Sequence, residues 1–139
     1  YHEIISEKGF LFFGLLILGV LLHELIHGIT WAIFCKKGFK SIQYGIIWKA
    51  LTPYCHCSEI LPINEYRLGT IMPGIVLGFI PALAGILTGN SMSLILGIIF
   101  TVAAGGDFIF IWLLRKEPKD SYVLDHPDKV GCIVYSPKL

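Results

Sequence analysis

"LLHELIHGITW", residues 21–31, decides how the rest of the chain is read. It sets two histidines and a glutamate within five residues of otherwise apolar sequence. Polar groups are costly in hydrocarbon, so their presence there calls for a compensating role. His23 and His27 stand four apart, which on a helix of about 3.6 residues per turn stacks them on one face, close enough to hold one metal ion. Glu24 lies to the side of that pair, placed to reach a water beside the metal rather than the metal itself. This is the H-E-x-x-H arrangement of two imidazole ligands and a carboxylate general base. The competing reading is a polar helix-packing cluster without metal.

The surroundings of this stretch are membrane-like. Of the 139 residues 55% are hydrophobic and 15% charged, with a mean hydropathy of +0.71. Soluble domains carry about a quarter charged residues. Three stretches reach the roughly 20 apolar residues that cross a bilayer: 10–34, 68–88 and 92–114. Buried helices of a soluble protein would need polar faces that these segments lack. The first stretch is too long for a signal peptide and has no small-residue cleavage site. The chain begins at Tyr1 rather than Met, which points to a fragment with segments upstream. The length fits a single membrane-embedded domain over 1–139 without internal repeats. The expected fold is mainly α: a three-transmembrane-helix core, a β-hairpin between helices one and two, and a short extramembrane tail.

That hairpin is expected at about 40–61. Ile42, Tyr44, Ile46 and Trp48 alternate with the period of a strand. Pro53 in "LTPY" marks the turn, and "CHCSEIL" returns. After Leu114 the chain turns polar, and "DKVGCIVYSP" in the 115–139 tail reads as one short strand. "DHPDK" at 125–129 reads as a turn to which no chemistry is assigned. Cys55 and Cys57 share a strand face that points away from His56. The four cysteines therefore read as structural thiols rather than a second metal site, which would carry paired Cys-x-x-Cys spacing.

Charge gives orientation. Lys36, Lys37, Lys40, Lys49 and Arg67 flank the first connection, and Arg115, Lys116, Lys119, Lys129 and Lys138 follow the third span. By the positive-inside rule the hairpin and tail are cytosolic in a multi-pass protein whose N-terminal end faces outward. A net charge of +1 argues against a nucleic-acid partner.

A catalytic zinc needs a third protein ligand. Besides Glu24, the one acidic residue within the spans is Asp107. Counted at about 1.5 Å per residue, it lies about 22 Å along its span, level with His23 and His27 at about 20 to 26 Å along theirs. The small residues Ala103, Ala104, Gly105 and Gly106 predict a close approach of the third helix to the first, so bulk at Gly106 should keep Asp107 out of reach. The alternative is a structural ion pair between Asp107 and a histidine. Failing Asp107, the third ligand falls to His56 or Glu59, otherwise read as surface or packing residues.

"HELIHGI" at 23–29, "YCHCSE" at 54–59, "YRLGTIMPG" at 66–74, "GGDFIF" at 105–110 and "DHPDKVGC" at 125–132 together resemble the putative zincin peptidase family, a domain of unknown function. That likeness covers nearly the whole chain. A wider resemblance is to intramembrane metalloproteases of the site-2-protease type. The resemblance implies a three-helix catalytic core, Zn2+ held by His23, His27 and Asp107, and Glu24 as base. In one respect the chain departs from typical site-2 proteases, which carry Asn and Pro before the Asp and Gly after it. Here Gly106 precedes Asp107, Phe108 follows it, and no Asn is near to act as an amide helper.

The middle span sets Gly74, Gly78 and Ala82 four apart as a packing seam, with Pro73 and Pro81 as breaks that admit a cavity or simply pack. The expected function is zinc-dependent hydrolysis of peptide bonds by a metal-activated water, within the bilayer. The substrate is a transmembrane or membrane-proximal polypeptide, unwound and held extended against the hairpin by strand addition. The other class left open is a non-catalytic metal-binding scaffold, ion pathway or pseudo-protease. A pathway should show polar residues recurring along a span, and Thr70, Thr88 and Thr101 are few.

Overall fold

The computed structural model describes residues 2–48, 51–127 and 130–137. It is mainly helical. Helix α1, His2–Phe34, is about 50 Å long at 1.5 Å per residue. Its Gly9–Phe34 portion is long and apolar enough to cross a membrane. Phe10, Phe13, Ile17 and Ile33 are exposed, so this helix turns large apolar side chains outward as well as inward. Beyond it the chain reverses through Gly38, whose φ of 57° is costly for a residue with a Cβ. A 3-10 turn, Gly38–Ser41, follows. Glu59 ties this corner down: its carboxylate accepts the Lys36 and Lys37 N–H groups at 2.9 Å each and the Ser41 hydroxyl.

The hairpin pairs β1, Ile42–Ile47, with β2, Thr52–Cys57. The turn does not fall at Pro53, as expected from sequence. Pro53 lies within β2 opposite Ile46, and the reversal occurs earlier, with Leu51 at a φ of 48°. A two-stranded ribbon has only edge strands, where a residue without an N–H is tolerated. Lys49 lies outside the described residues. Ser58 N–H donates to Ser41 O at 2.9 Å, which fixes the alternation of the ladder. The N–H groups of Cys55 and Cys57 therefore point away from β1, toward the helices and the tail.

A short strand β3, Leu61–Pro62, leads into α2, Ile63–Pro73, a π-helical segment, Gly74–Phe79, and α3, Ile80–Thr88. The run Ile63–Thr88 is the second helix long and apolar enough to cross a membrane. It begins ahead of the expected residue 68 because Arg67 docks on the Leu114 carbonyl instead of facing water. The widened π turn ends just before Pro81, whose missing N–H already breaks the regular ladder there. Gly89, at a φ of 69°, ends α3, and the Asn90 side chain accepts the Ser93 N–H at 3.0 Å to start α4, Ser91–Ala103. Helix α5, Gly105–Leu114, follows after Ala104. Helices α4 and α5 pass the length and hydropathy test only together, and they are bent by 45°. The span expected over 92–114 is thus broken at Ala104. Two successive glycines give the break little resistance.

The seam expected in the middle span packs on this bent pair. A Cβ at Gly74 would meet Phe108 and Ala104, one at Gly78 would meet Thr101, and Ala82 lies against Gly97. The role expected for Gly105 and Gly106 is not what the structure shows: a Cβ at either meets nothing within 4 Å. The close approach is instead made by Ala104, fully buried against α2 and its continuation. The tail holds two strands rather than one, β4, Tyr122–Asp125, and β5, Cys132–Tyr135. They form an antiparallel sheet in the order β3-β4-β5. The buried core lies at this end of the molecule, built from Trp31, Cys35, Ile42, Cys57, Ile63, Tyr66 and Val123 among others.

Candidate metal centre

Helix α1 turns His23, His27 and Trp31 to one side at four-residue spacing. The bend at Ala104 brings Asp107, in the first turn of α5, to the same place. Asp107 Oδ2 is 3.1 Å from His23 Nε2, and Asp107 Oδ1 is 3.4 Å from His27 Nε2. One ligand atom from each of the three residues lies within 4.8 Å of the others. Donors arranged tetrahedrally about a zinc ion at about 2.1 Å stand about 3.4 Å apart, so this group fits the ion. His27 is also oriented for it. Its Nδ1–H donates to Gly69 O at 2.9 Å, which leaves the Nε2 lone pair facing Asp107 and His23. The ring stacks on Trp31 at 5.2 Å, and Trp31 stacks on Tyr66 at 5.2 Å.

Glu24 lies beside the group and lines the same cavity as Cys55 on β2, whose N–H is on that strand's free edge. It lines two cavities. One, of about 400 Å³, is apolar and lies between α1 and the hairpin, with Leu21, Leu25, Tyr44 and Ile46. The other, of about 530 Å³, contains His23, His27 and Asp107 and runs to His56, Asp125 and Val130. The carboxylate thus has an apolar approach on one side and the prospective metal on the other.

The fallback ligands stand elsewhere. Glu59 is committed to the corner after α1, where the Ser41 hydroxyl and the backbone N–H groups hold its carboxyl below the usual carboxylate range. His56 lines the larger cavity but is not in the ligand group. Cys35 and Cys57 pack with their sulfurs 3.4 Å apart, and burial pushes the Cys57 thiol up to about 12 and raises that of Cys55 too. Metal-binding cysteines must ionise, so these thiols have the chemistry of core residues. A polar cluster around Asp125, to which the sequence reading gave no chemistry, forms a further part of the cavity. Asp125 accepts the Tyr66 hydroxyl at 2.5 Å and the Cys57 N–H at 2.8 Å. Burial raises its carboxyl above the usual range. The only sequence signal was an acid in a segment that reads as a turn, too common to single out.

Two histidines one helical turn apart and a carboxylate from a second helix make the donor set of a zincin-type centre. Residues 16–122, more than half of the chain, match the family described as "Putative zincin peptidase", and the chain belongs to that family. The family implies zinc, and the group formed by His23, His27 and Asp107 is able to hold it. Neither a curated protein nor a solved structure matches the chain.

Proposed function

We propose that the chain is a zinc-dependent intramembrane peptidase, with His23, His27 and Asp107 as ligands and Glu24 as general base. The observation that carries this reading is the convergence of the three donors beside Glu24 in a cavity reached from an apolar face. Zinc bound there would supply Lewis acidity, lowering the pKa of a water and polarising the scissile carbonyl. Glu24 takes the proton from that water as it adds to the carbonyl carbon and delivers it to the leaving amine. The bent α4–α5 pair serves as a third crossing, which gives a multi-pass, site-2-protease-like core with hairpin and tail on the cytosolic side. The substrate is a transmembrane or membrane-proximal polypeptide. It unwinds, because a helical peptide bond is shielded by its own hydrogen bonds, and lies along the free edge of β2. A substrate carbonyl seated there takes the Cys55 N–H.

A non-catalytic scaffold has one observation in its favour: Asp107 and His23 already form a direct ion pair at 3.1 Å. Comparing the parent with Glu24→Gln separates the readings. Both should retain zinc, and only the parent should cleave a panel of transmembrane peptides, because an amide cannot accept the water's proton. Equal cleavage by both removes Glu24 as base. Zinc retention without cleavage by the parent favours the scaffold.

A further inference from the structure

The hydrolysis proposed above gives no role to the His56 imidazole in the larger cavity. His56 projects from β2 into the space that also holds the ligand residues and Glu24. Its Nδ1 lies 3.7 Å from Asp125 Oδ2. Asp125 is 8% exposed and is fixed on both oxygens, Oδ1 by the Tyr66 hydroxyl at 2.5 Å and Oδ2 by the Cys57 N–H at 2.8 Å. Tyr66 is in turn held by the Trp31 stack and by its own carbonyl, which accepts the Trp31 indole N–H at 3.1 Å. Asp125 is thus a rigid mount.

A brace for the fold would need only Asp125, Tyr66 and the Cys57 N–H. At 3.7 Å the imidazole adds no hydrogen bond to that brace, so packing gives no reason for a histidine there rather than an apolar side chain. Catalytic hydrogen bonds are commonly loose before substrate is seated and tighten around it. When protonated, His56 with Nδ1–H toward Asp125 keeps Nε2–H for the cavity. The chain lacks an Asn beside Asp107, so no amide there serves the reacting carbonyl.

We infer that His56, mounted on Asp125, donates through Nε2 to the oxygen of the scissile carbonyl. This rests on the peptidase reading and completes it. As the water oxygen bonds to the carbonyl carbon, the π pair moves to the carbonyl oxygen and the water proton goes to Glu24. The His56 imidazolium stabilises the negative charge without transferring its own proton. When the C–N bond breaks, that electron pair returns to re-form the carbonyl, and the amine nitrogen takes the proton held by Glu24. His56 is a catalytic residue in this scheme, and Asp125 is a positioning residue.

The test uses the full chain loaded with zinc in detergent, with two probes: a phosphinic peptide, which mimics the tetrahedral carbon, and a simple hydroxamate, which grips the metal. His56→Ala should keep its zinc and its hydroxamate affinity. It should bind the phosphinic peptide about 100-fold more weakly and lose a similar factor in kcat with KM little changed, the usual cost of one oxyanion donor. His56→Gln, which keeps an N–H donor, should recover part of the loss, and Asp125→Asn should show a smaller loss of the same pattern. Unchanged phosphinic affinity in His56→Ala overturns the assignment while leaving the peptidase reading intact. Parallel loss of zinc, hydroxamate and phosphinic peptide also overturns it, because that pattern marks a structural role. A zinc-loaded parent that binds neither probe overturns the peptidase reading and this inference with it.

Discussion

At the scale of single residues, the centre depends on how few atoms define it. His23 and Asp107 stand 84 positions apart in sequence yet 3.1 Å apart in space. Purified protein should carry about one zinc per chain, as a three-ligand catalytic site does. His23→Ala or His27→Ala should empty it, whereas Cys55→Ser with Cys57→Ser should leave the metal content unchanged by elemental analysis. Asp107→Asn should weaken retention, since a neutral amide is a poor ligand for a divalent cation, and Asp107→Glu should restore part of it. Survival of the metal without both histidines would contradict the ligand set. Most of this group was legible in the sequence, because helical spacing pairs His23 with His27 and depth counting places Asp107 level with them. Asp125 was not legible, since its partners Tyr66, Cys57 and His56 come from two other elements, α2 and β2.

At the scale of elements, the glycines separate close packing from open space. A Cβ at Gly69 would collide with the Trp31 indole, part of the stack beneath His27. Gly69→Leu should therefore cost about 1–3 kcal/mol, as overpacking does. Gly106→Ala meets nothing and should gain about 0.5–1 kcal/mol from helix propensity. Thermal unfolding in detergent reads both, and the opposite order would contradict the packing described. The Glu59 corner gives a pH signature. Its carboxyl is lowered from 4.5 in the folded chain, so its contribution is present above that value and lost as pH falls through the lower folded one. Glu59→Gln should remove that acid-side loss from unfolding curves. Alternation announced the hairpin, but Pro53 misplaced its turn, because a proline in an edge strand looks in sequence like a proline in a turn. The break at Ala104 was hidden because "AAGG" reads equally as a packing surface and as a weak point in a helix.

For the whole molecule, an outward-facing apolar surface on α1 and a buried core gathered near the hairpin describe a chain divided between two solvents. The long apolar runs were legible because hydropathy is local. The β3-β4-β5 sheet was not, since β3 is two residues long and pairs with a strand about sixty residues away. The sidedness proposed from the basic residues is open to direct measurement. Ser91→Cys, at the start of α4 just after the link from α3, should react with a membrane-impermeant maleimide on intact cells. Lys119→Cys, in the basic tail, should react only after permeabilisation. The reverse pattern would invert the proposed orientation.

One zinc should sit among two imidazoles and a carboxylate, with no sulfur. Zinc X-ray absorption on the loaded protein tests it most directly. Only nitrogen and oxygen scatterers are expected at about 2.0–2.2 Å, with the outer-shell pattern of two imidazoles. A sulfur shell at about 2.3 Å, or a spectrum unchanged when both histidines are replaced, would contradict it.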